Sequence, residues 1–317
     1  MKKKYSLPDG SLKKPYRLPL KTRARNYFGN FKSPFVVIMF VYILLYTITN
    51  IFALYWMFST SLKSQINFGL DNVGLPNPFR FDNYAKAFSY LFVQIRSGAD
   101  YRNVYLPELI WNSVLFAGSH TIVTILVHMM GGYVVAKFHR FKLVRAIQTT
   151  IIILMVIPIV SSLSATLDWN KKLGVYDNLP MIVYTCIALF DSMTLVFVGA
   201  YAGVDNGYIE AAKVDGAGNY RILFTIAMPL IRTVALVLGV TSFIGFWNNY
   251  MTPYIYLPST PTLSVALWYF SQSNTNAISS EPMQMAAAAL VAIPCLILFF
   301  CVKDKMIGNL TMGGLKG

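Results

Sequence analysis

Charge is scarce in these 317 residues: 13% are Asp, Glu, Lys or Arg, against about 25% in an ordinary soluble domain. Acids are scarcer than bases, 13 against 27, leaving a net charge of +14. Cysteine is nearly missing. Cys186, Cys295 and Cys301 all sit in apolar runs without C-x-x-C or Cys/His ligand spacing, which excludes a disulfide framework and a zinc site. No G-x-x-x-x-G-K-[ST] occurs, so the phosphate cradle that would hold ATP is absent from this chain. Nor is there an H-E-x-x-H or a G-x-S-x-G, and an intramembrane enzyme would need such a convergent set of groups.

What is present is apolar. Hydrophobic residues make up 56% of the chain and the mean hydropathy is +0.51. They gather into runs long enough to cross a hydrocarbon layer, which takes about 20 residues per helix. The runs Phe35–Phe58, Glu108–Val135, Ile147–Leu167, Met181–Tyr201, Leu230–Tyr250 and Met285–Val302 predict six transmembrane helices. Pro158 within the third is tolerable in a bundle whose neighbours satisfy the freed carbonyl. The expected fold is an all-α integral membrane protein: a basic arm over 1–34, a six-helix domain over 35–302 and a tail over 303–317. The stretch from Ser64 to Pro107 reads as an external aqueous loop with turn or cap signals at Asn77-Pro78 and Asp82-Asn83. Thr252–Pro282 reads as a loop without Lys or Arg.

An even number of spans puts both termini on one side. The arm, the loop Lys137–Arg145, the Val204–Arg232 region and the tail together carry 20 basic residues, and the opposite face carries 7. Positive charge stays on the cytoplasmic side, so both termini are expected there. The arm fits no cleavable signal peptide. It serves topology and anionic lipid, and it has no fold that would present nucleic-acid bases.

Asp191 is the acid within the apolar runs, costing about 2.5–3.5 kcal/mol to insert, while the nine Ile, Leu, Val and Phe residues of its run return roughly 3–5 kcal/mol. It reads as a substrate contact on the translocation path, a partner for a hydroxyl on another helix, or a residue near the interface. His120 and His128 fall on similar faces of the second span, without an acidic ligand set, and suit packing or polar bridging rather than a metal.

The most patterned segment is Asp205–Thr233, DNGYIEAAKVDGAGNYRILFTIAMPLIRT. Asp205 or Asn206 can cap a helix through Val214, and Gly216 and Gly218 end it. A second, amphipathic helix follows from Asn219 to Met228 with Ile222, Leu223 and Ile226 on one stripe, and Pro229 marks entry to the fifth span. The resulting helix-turn-helix has the character of a docking knob. Small Ala211, Ala212 and Ala217 permit close approach, and Glu210 and Asp215 can pair with a basic site.

Glu210-Ala211-Ala212, Asp215-Gly216-Ala217 and Pro229 resemble the EAA loop of ATP-binding-cassette (ABC) importer permeases. Ser61-Leu62-Lys63, Asn83-Tyr84, Phe246-Trp247-Asn248-Asn249 and the tail Leu310-Thr311-Met312-Gly313-Gly314-Leu315-Lys316-Gly317 resemble the maltose-type sugar permeases in particular. The Pro and second Glu often found before the Glu-Ala-Ala block are replaced here by Asp205 and Ile209. The resemblance implies a coupling loop over 204–229 that docks on an ATPase subunit, and a tail with Gly313, Gly314, Lys316 and Gly317 at the ATPase interface. It implies two ATP-binding subunits carrying ATP and Mg, a second homologous permease chain, an extracytoplasmic solute-binding protein, and no catalysis by this chain. Trp247, Asn248 and Asn249 either glue helices together or line the translocation path. A proton-coupled secondary transporter using Asp191 is the alternative, but it leaves the Glu-Ala-Ala block and the glycine tail without a purpose.

Overall fold

The computed structural model describes residues 34–156, 163–185, 191–272 and 280–313. The basic arm, Pro158, Cys186 and the tail residues Gly314, Lys316 and Gly317 lie outside them. The chain divides into two compact units, one ending at Trp56 and the other starting at Met57.

Helix α1, Pro34–Ser61, supplies the described part of the first unit. Its 28 residues reach about 42 Å at 1.5 Å per residue, more than the roughly 30 Å of hydrocarbon. Its polar groups are consumed within its own helix: Thr47 Oγ1 donates to the Ile43 carbonyl at 2.8 Å, Thr49 Oγ1 to Leu45 at 2.9 Å and Asn50 Nδ2 to Tyr46 at 2.7 Å. A segment whose apolar side chains are exposed all round, as these are from Phe35 to Tyr55, suits lipid, where internal satisfaction is obligatory.

The stretch after α1 departs from the expected loop. It folds into α2 (Gln65–Leu70), α3 (Asp82–Tyr90) and an antiparallel hairpin of β1 (Val93–Ser97) and β2 (Asp100–Val104), the sheet that qualifies the all-α expectation. Val93 pairs with Val104 and Ser97 with Asp100, and Gly98 at φ 67° makes the turn. Val93 and Ile95 alternate inward and join Ala87, Leu91, Leu106, Leu109, Met283 and Ala286 in one core. Ser61-Leu62-Lys63 and Asn83-Tyr84 meet beneath this lobe. Asn83 Nδ2 donates to the Ser61 and Lys63 carbonyls, both at 2.8 Å, and the Tyr84 and Ser61 hydroxyls lie 2.7 Å apart. Buried Lys63 donates its ammonium to the Asp71 carbonyl at 2.7 Å. The Asp71 carboxylate accepts from the backbone N–H of Gly74 and Val73, at 2.7 and 3.1 Å.

The second unit is organised around α4 (Leu106–Lys137). Leu109, Ser113, Phe116, His120, Thr124, His128 and Gly132 are buried along it at intervals of three and four, the period of one helix face. After α5 (Lys142–Val156), α6 (Leu163–Lys172) and α7 (Leu179–Thr185) come α8 (Ser192–Ala202) and α9 (Asn206–Val214). Helix α10 spans Asn219–Leu230, and α11 (Arg232–Asn248) leaves it at 75°. Then follow α12 (Met251–Tyr256), α13 (Leu263–Gln272) and α14 (Glu281–Gly313). Gly132 lets α8 approach α4: a Cβ there would sit 2.5 Å from Phe197 Cβ and 3.1 Å from the α8 backbone.

Among the described residues three helices are long and apolar enough to cross a membrane, Pro34–Ser61, Leu106–Lys137 and Glu281–Asp304, and the bent pair α10–α11 makes a fourth. The expected third and fourth runs are divided between α5 and α6 and between α7 and α8, with undescribed residues between. The turn after α6 places Gly174 and Asp177 at positive φ, and the Asp177 carboxylate accepts from the Ser259 N–H at 2.9 Å. Thr252–Pro282, expected to be a loop, contains α12 and α13 because Leu263, Val265, Ala266 and Phe270 bury into the core. The expected tail beyond Val302 is helical as far as Gly313.

Candidate functional site

The segment that follows α8 forms a knob. Asp205 caps α9 by accepting from the Gly207 N–H at 2.9 Å, as such a residue does for an orphan donor at a helix start. At the other end Gly216 takes φ 78°. Its N–H reaches the Lys213 carbonyl at 3.0 Å and the Ala217 N–H reaches Ala212 at 2.9 Å, the paired bonds of a glycine-closed helix end. Glu210, Ala211, Asp215 and Gly216 are exposed, but Ala212 is buried and Ala217 half-buried. Ala212 therefore packs inward, against the cluster of Ile209, Ile222, Leu223 and Ala227, because the same small side chain that would admit a partner admits α10 first. An open cleft of about 520 Å³ remains, lined by Asp205, Tyr208, Ala211, Asp215 and Ile226.

The second helix of the knob is longer than expected and irregular. Over Leu223–Ala227 it widens into a π-turn, in which the Met228 N–H bonds to the Leu223 carbonyl five residues back. Pro229 follows, with no N–H to donate and a ring that crowds the carbonyl four residues earlier. The chain turns at Ile231, and α11 starts at Arg232, three residues after the proline. Lys137, at the end of α4, ties the other side of the knob by donating to the Val204 carbonyl at 3.1 Å and to Asn206 Oδ1 at 2.8 Å.

Asp191 stands at the start of a helix rather than midway along one. Its Oδ1 caps α8 by accepting from the N–H groups of Met193 at 2.9 Å and Thr194 at 3.3 Å. The same oxygen lies 3.6 Å from Nδ1 of buried His128, which is 2.7 Å from Thr194 Oγ1. These contacts are with the N–H groups of its own helix and with the His128 ring of α4, and none is with a hydroxyl on another helix. His120 is buried between the rings of Phe116 and Phe246, with centroids 4.3 and 4.9 Å away, and its Nδ1 is 2.8 Å from the Phe116 carbonyl. Both histidines pack and bridge. No group of three or more His, Cys, Asp or Glu side chains suited to a metal occurs among the described residues.

The Trp247-Asn248-Asn249 cluster separates into different roles. Trp247 is buried and donates its indole N–H to the Val291 carbonyl of α14 at 3.1 Å. Asn249 ends α11, its amide oxygen accepting from the Thr252 N–H at 3.0 Å and its amide nitrogen donating to Thr252 Oγ1 at 3.0 Å. Asn248 alone opens onto a cleft, of about 310 Å³, whose walls include Tyr250, Trp268, Ser271 and Gln284. Trp268 and Ser271 fall within Thr252–Pro282, which reads as a loop from sequence, so sequence reasoning misses them. The eight-residue run Leu263–Phe270, bounded by the Pro261 turn, was the available signal. Of the tail site residues, Gly313 is the last described residue of α14, and Gly314, Lys316 and Gly317 lie beyond the described residues.

Residues 128–306 match the family described as "Binding-protein-dependent transport system inner membrane component". The chain is 28% identical over 275 residues to the lactose transport system permease protein LacG of Rhizobium radiobacter, covering 84% of this chain and 91% of that one. It is 25% identical over 268 residues to the melibiose/raffinose/stachyose import permease protein MelC of Bacillus subtilis, covering 83% and 90%. Identity to the diacetylchitobiose uptake system permease protein NgcG of Streptomyces coelicolor is 22% over 286 residues, or 88% of each chain. In three dimensions the chain shares the fold of a chain from a bacterial ABC transporter involved in the import of the acidic polysaccharide alginate. The TM-score is 0.69 at 16% identity, covering 90% of this chain and 99% of that one. A proton-coupled transporter gains no support, since the matched family is binding-protein-dependent and Asp191 is engaged as a helix cap.

Proposed function

This chain belongs to the binding-protein-dependent transport system inner membrane component family, and we propose that it is the permease subunit of an ATP-driven sugar importer. It forms half of the translocation path, beside a second, homologous permease. Two ATPase subunits supply the energy and hold ATP and Mg. A solute-binding protein delivers sugar on the outer side. Six spans place both termini in the cytoplasm.

One observation carries this reading: the exposed knob of α9 and α10 leads through a 75° elbow into the apolar helix α11. Glu210, Ala211, Asp215 and Gly216 present the knob to the ATPase subunit. Ala212 and Ala217 hold α9 on α10, and Pro229 sets the elbow. Closure of the ATPase subunits pushes α9, and α10 passes that displacement to α11 as a rigid-body tilt that opens the path outward. The glycine tail, with Gly313, Gly314, Lys316 and Gly317, lies against the ATPase subunits. Asp191 and Asn248 face the region through which substrate moves. Relatives named for lactose, melibiose, raffinose and stachyose support sugar as the substrate class.

The test is to tag the chain, extract it gently from its membrane and identify what accompanies it by mass spectrometry, then measure sugar uptake by the recovered complex in proteoliposomes loaded with ATP. An ATPase subunit, a second permease and ATP-dependent uptake are expected. A chain recovered alone, under conditions that preserve other such complexes, refutes the proposal.

A further inference from the structure

The cleft of about 310 Å³ at the end of α11 is walled by three elements. Asn248 ends α11 and Tyr250 precedes α12, Trp268 and Ser271 come from α13, and Gln284 from the first turns of α14. Its size sits at the lower end of small-molecule sites, about 300 to 1,000 Å³. Tyr250 and Trp268 stack nearly parallel, with centroids 5.8 Å apart at 9°, and Tyr254 leans on Trp268 at 4.7 Å. The indole is thereby held as a fixed, half-buried plane.

The polar groups around that plane are all neutral. Asn248 spends its amide nitrogen on the Ile244 carbonyl at 2.9 Å, and Ser271 donates to the Trp268 carbonyl at 2.7 Å. Among the described residues the Gln284 amide and the Asn248 amide oxygen meet no hydrogen-bond partner. No Lys or Arg lines the cleft, and none occurs anywhere from Thr252 to Pro282. An acidic sugar would need a cation or an unmatched helix N-terminus to offset its charge, and the start of α14 beside Gln284 already carries the Glu281 carboxylate. A neutral pyranose needs what is present: a flat apolar surface for its C–H face, and amides and hydroxyls that donate and accept in turn.

Resting on the sugar-import reading, we infer that this cleft is a subsite for one unit of a neutral oligosaccharide, with Trp268 as its platform and Gln284 and Asn248 as its hydroxyl readers. It sits at the external end of α11, where sugar leaves the binding protein and enters the path. An oligosaccharide whose units carry carboxylates is not a ligand.

The test uses the whole complex, with its ATPase subunits, second permease and binding protein, in proteoliposomes. The probes are lactose, raffinose, maltotriose and, as the acidic comparison, an oligomannuronate. The variants are Trp268→Ala, Trp268→Phe and Gln284→Ala. For the best-transported neutral sugar, Trp268→Ala raises KM roughly three- to tenfold, the range of one lost ring contact, while the complex is recovered at wild-type yield. Trp268→Phe, which keeps a plane, recovers most of that loss. Gln284→Ala raises KM in the same direction, and oligomannuronate does not compete. An unchanged KM in Trp268→Ala refutes the subsite alone. So does a fall in the yield of assembled complex, which makes the cleft a seat for the second permease. Wild-type vesicles that import none of the neutral sugars refute sugar import itself.

Discussion

Replacing Gly216 separates backbone conformation from crowding at the knob. Gly216 stands at φ 78°, and a Cβ built there meets nothing within 4 Å. Any effect of a side chain is therefore the cost of holding an L-residue in the left-handed region, about 1–2 kcal/mol. A β-branched residue falls at the high end, and Asn, which tolerates this region, at the low end. Since 1–2 kcal/mol is a factor of roughly 5–30 in a local equilibrium, the equilibrium between closed and open turn shifts toward open by that factor in Gly216→Val. The bonds at risk are those from the Gly216 and Ala217 N–H groups to Lys213 and Ala212, so the end of α9 frays and the faces of Glu210 and Asp215 lose their fixed spacing. Co-purification of the ATPase subunit and its stimulated ATP hydrolysis should decline in the order Gly, Asn, Ala, Val. Equal docking and stimulation by the Val and Gly forms would refute a coupling role for this turn.

Three further outcomes are expected. Gly132→Ala puts a methyl group against the α8 backbone, at 3.1 Å from Phe197 C and Val198 N, and overpacking of this kind costs about 1–3 kcal/mol; a lowered melting temperature of the purified complex checks it. Asn83→Ala leaves the buried carbonyls of Ser61 and Lys63 without their shared donor, at about 1–3 kcal/mol per orphaned group, and faster proteolysis within the 64–107 lobe than in wild type is the readout. Asp71, whose carboxyl is held below its usual range by the Gly74 N–H, then by that of Val73 and by the nearby Lys63 charge, stabilises the lobe above its ordinary value near 3.8 and loses that contribution as pH falls through the depressed one. In Asp71→Asn that acid-dependent step in lobe protection from proteolysis should vanish; its persistence would place the titrating group elsewhere.

Helical spans and the knob announce themselves in sequence because each depends on local order: apolar runs for α1, α4 and α14, and a cap, a glycine and a proline at set spacing for Asp205 to Pro229. The elements that escape are those whose residues are indifferent until distant partners meet them. The 93–104 hairpin turns Val93 and Ile95 inward and becomes a core element by packing near Met283 and Ala286, some 190 residues away. Lys63 resembles a charge closing a span, yet it is buried, because Asn83 and Asp71 fold back over it. Asp191 looks like an acid stranded in an apolar run for the same reason. Its run holds no glycine or proline from Met181 to Phe190, so nothing local marks the start of α8, whose orphan N–H groups need that carboxylate.

In the proposed coupling, the elbow is what would let a knob outside the membrane act on helices within it. A knob on a flexible link would dissipate displacement in the linker, but this one is tied at both ends. Lys137 fastens its beginning to the end of α4, and Ile222, Leu223, Ala227 and Met228 bury the whole inner face of α10 in the cluster that also holds Met129 and Tyr133 of α4. The 75° turn makes α10 a short arm set across the longer α11, and α11 in turn lies on α4, with Gly239 facing Ile125. Pushing α9 therefore cannot move α11 without loading α4 as well, and since packed interiors resist compression, the cheaper response is for α4 and α11 to tilt together. Pro229 and the π-turn before it keep this geometry by denying α10 and α11 the continuous hydrogen-bond ladder that would straighten them into one helix.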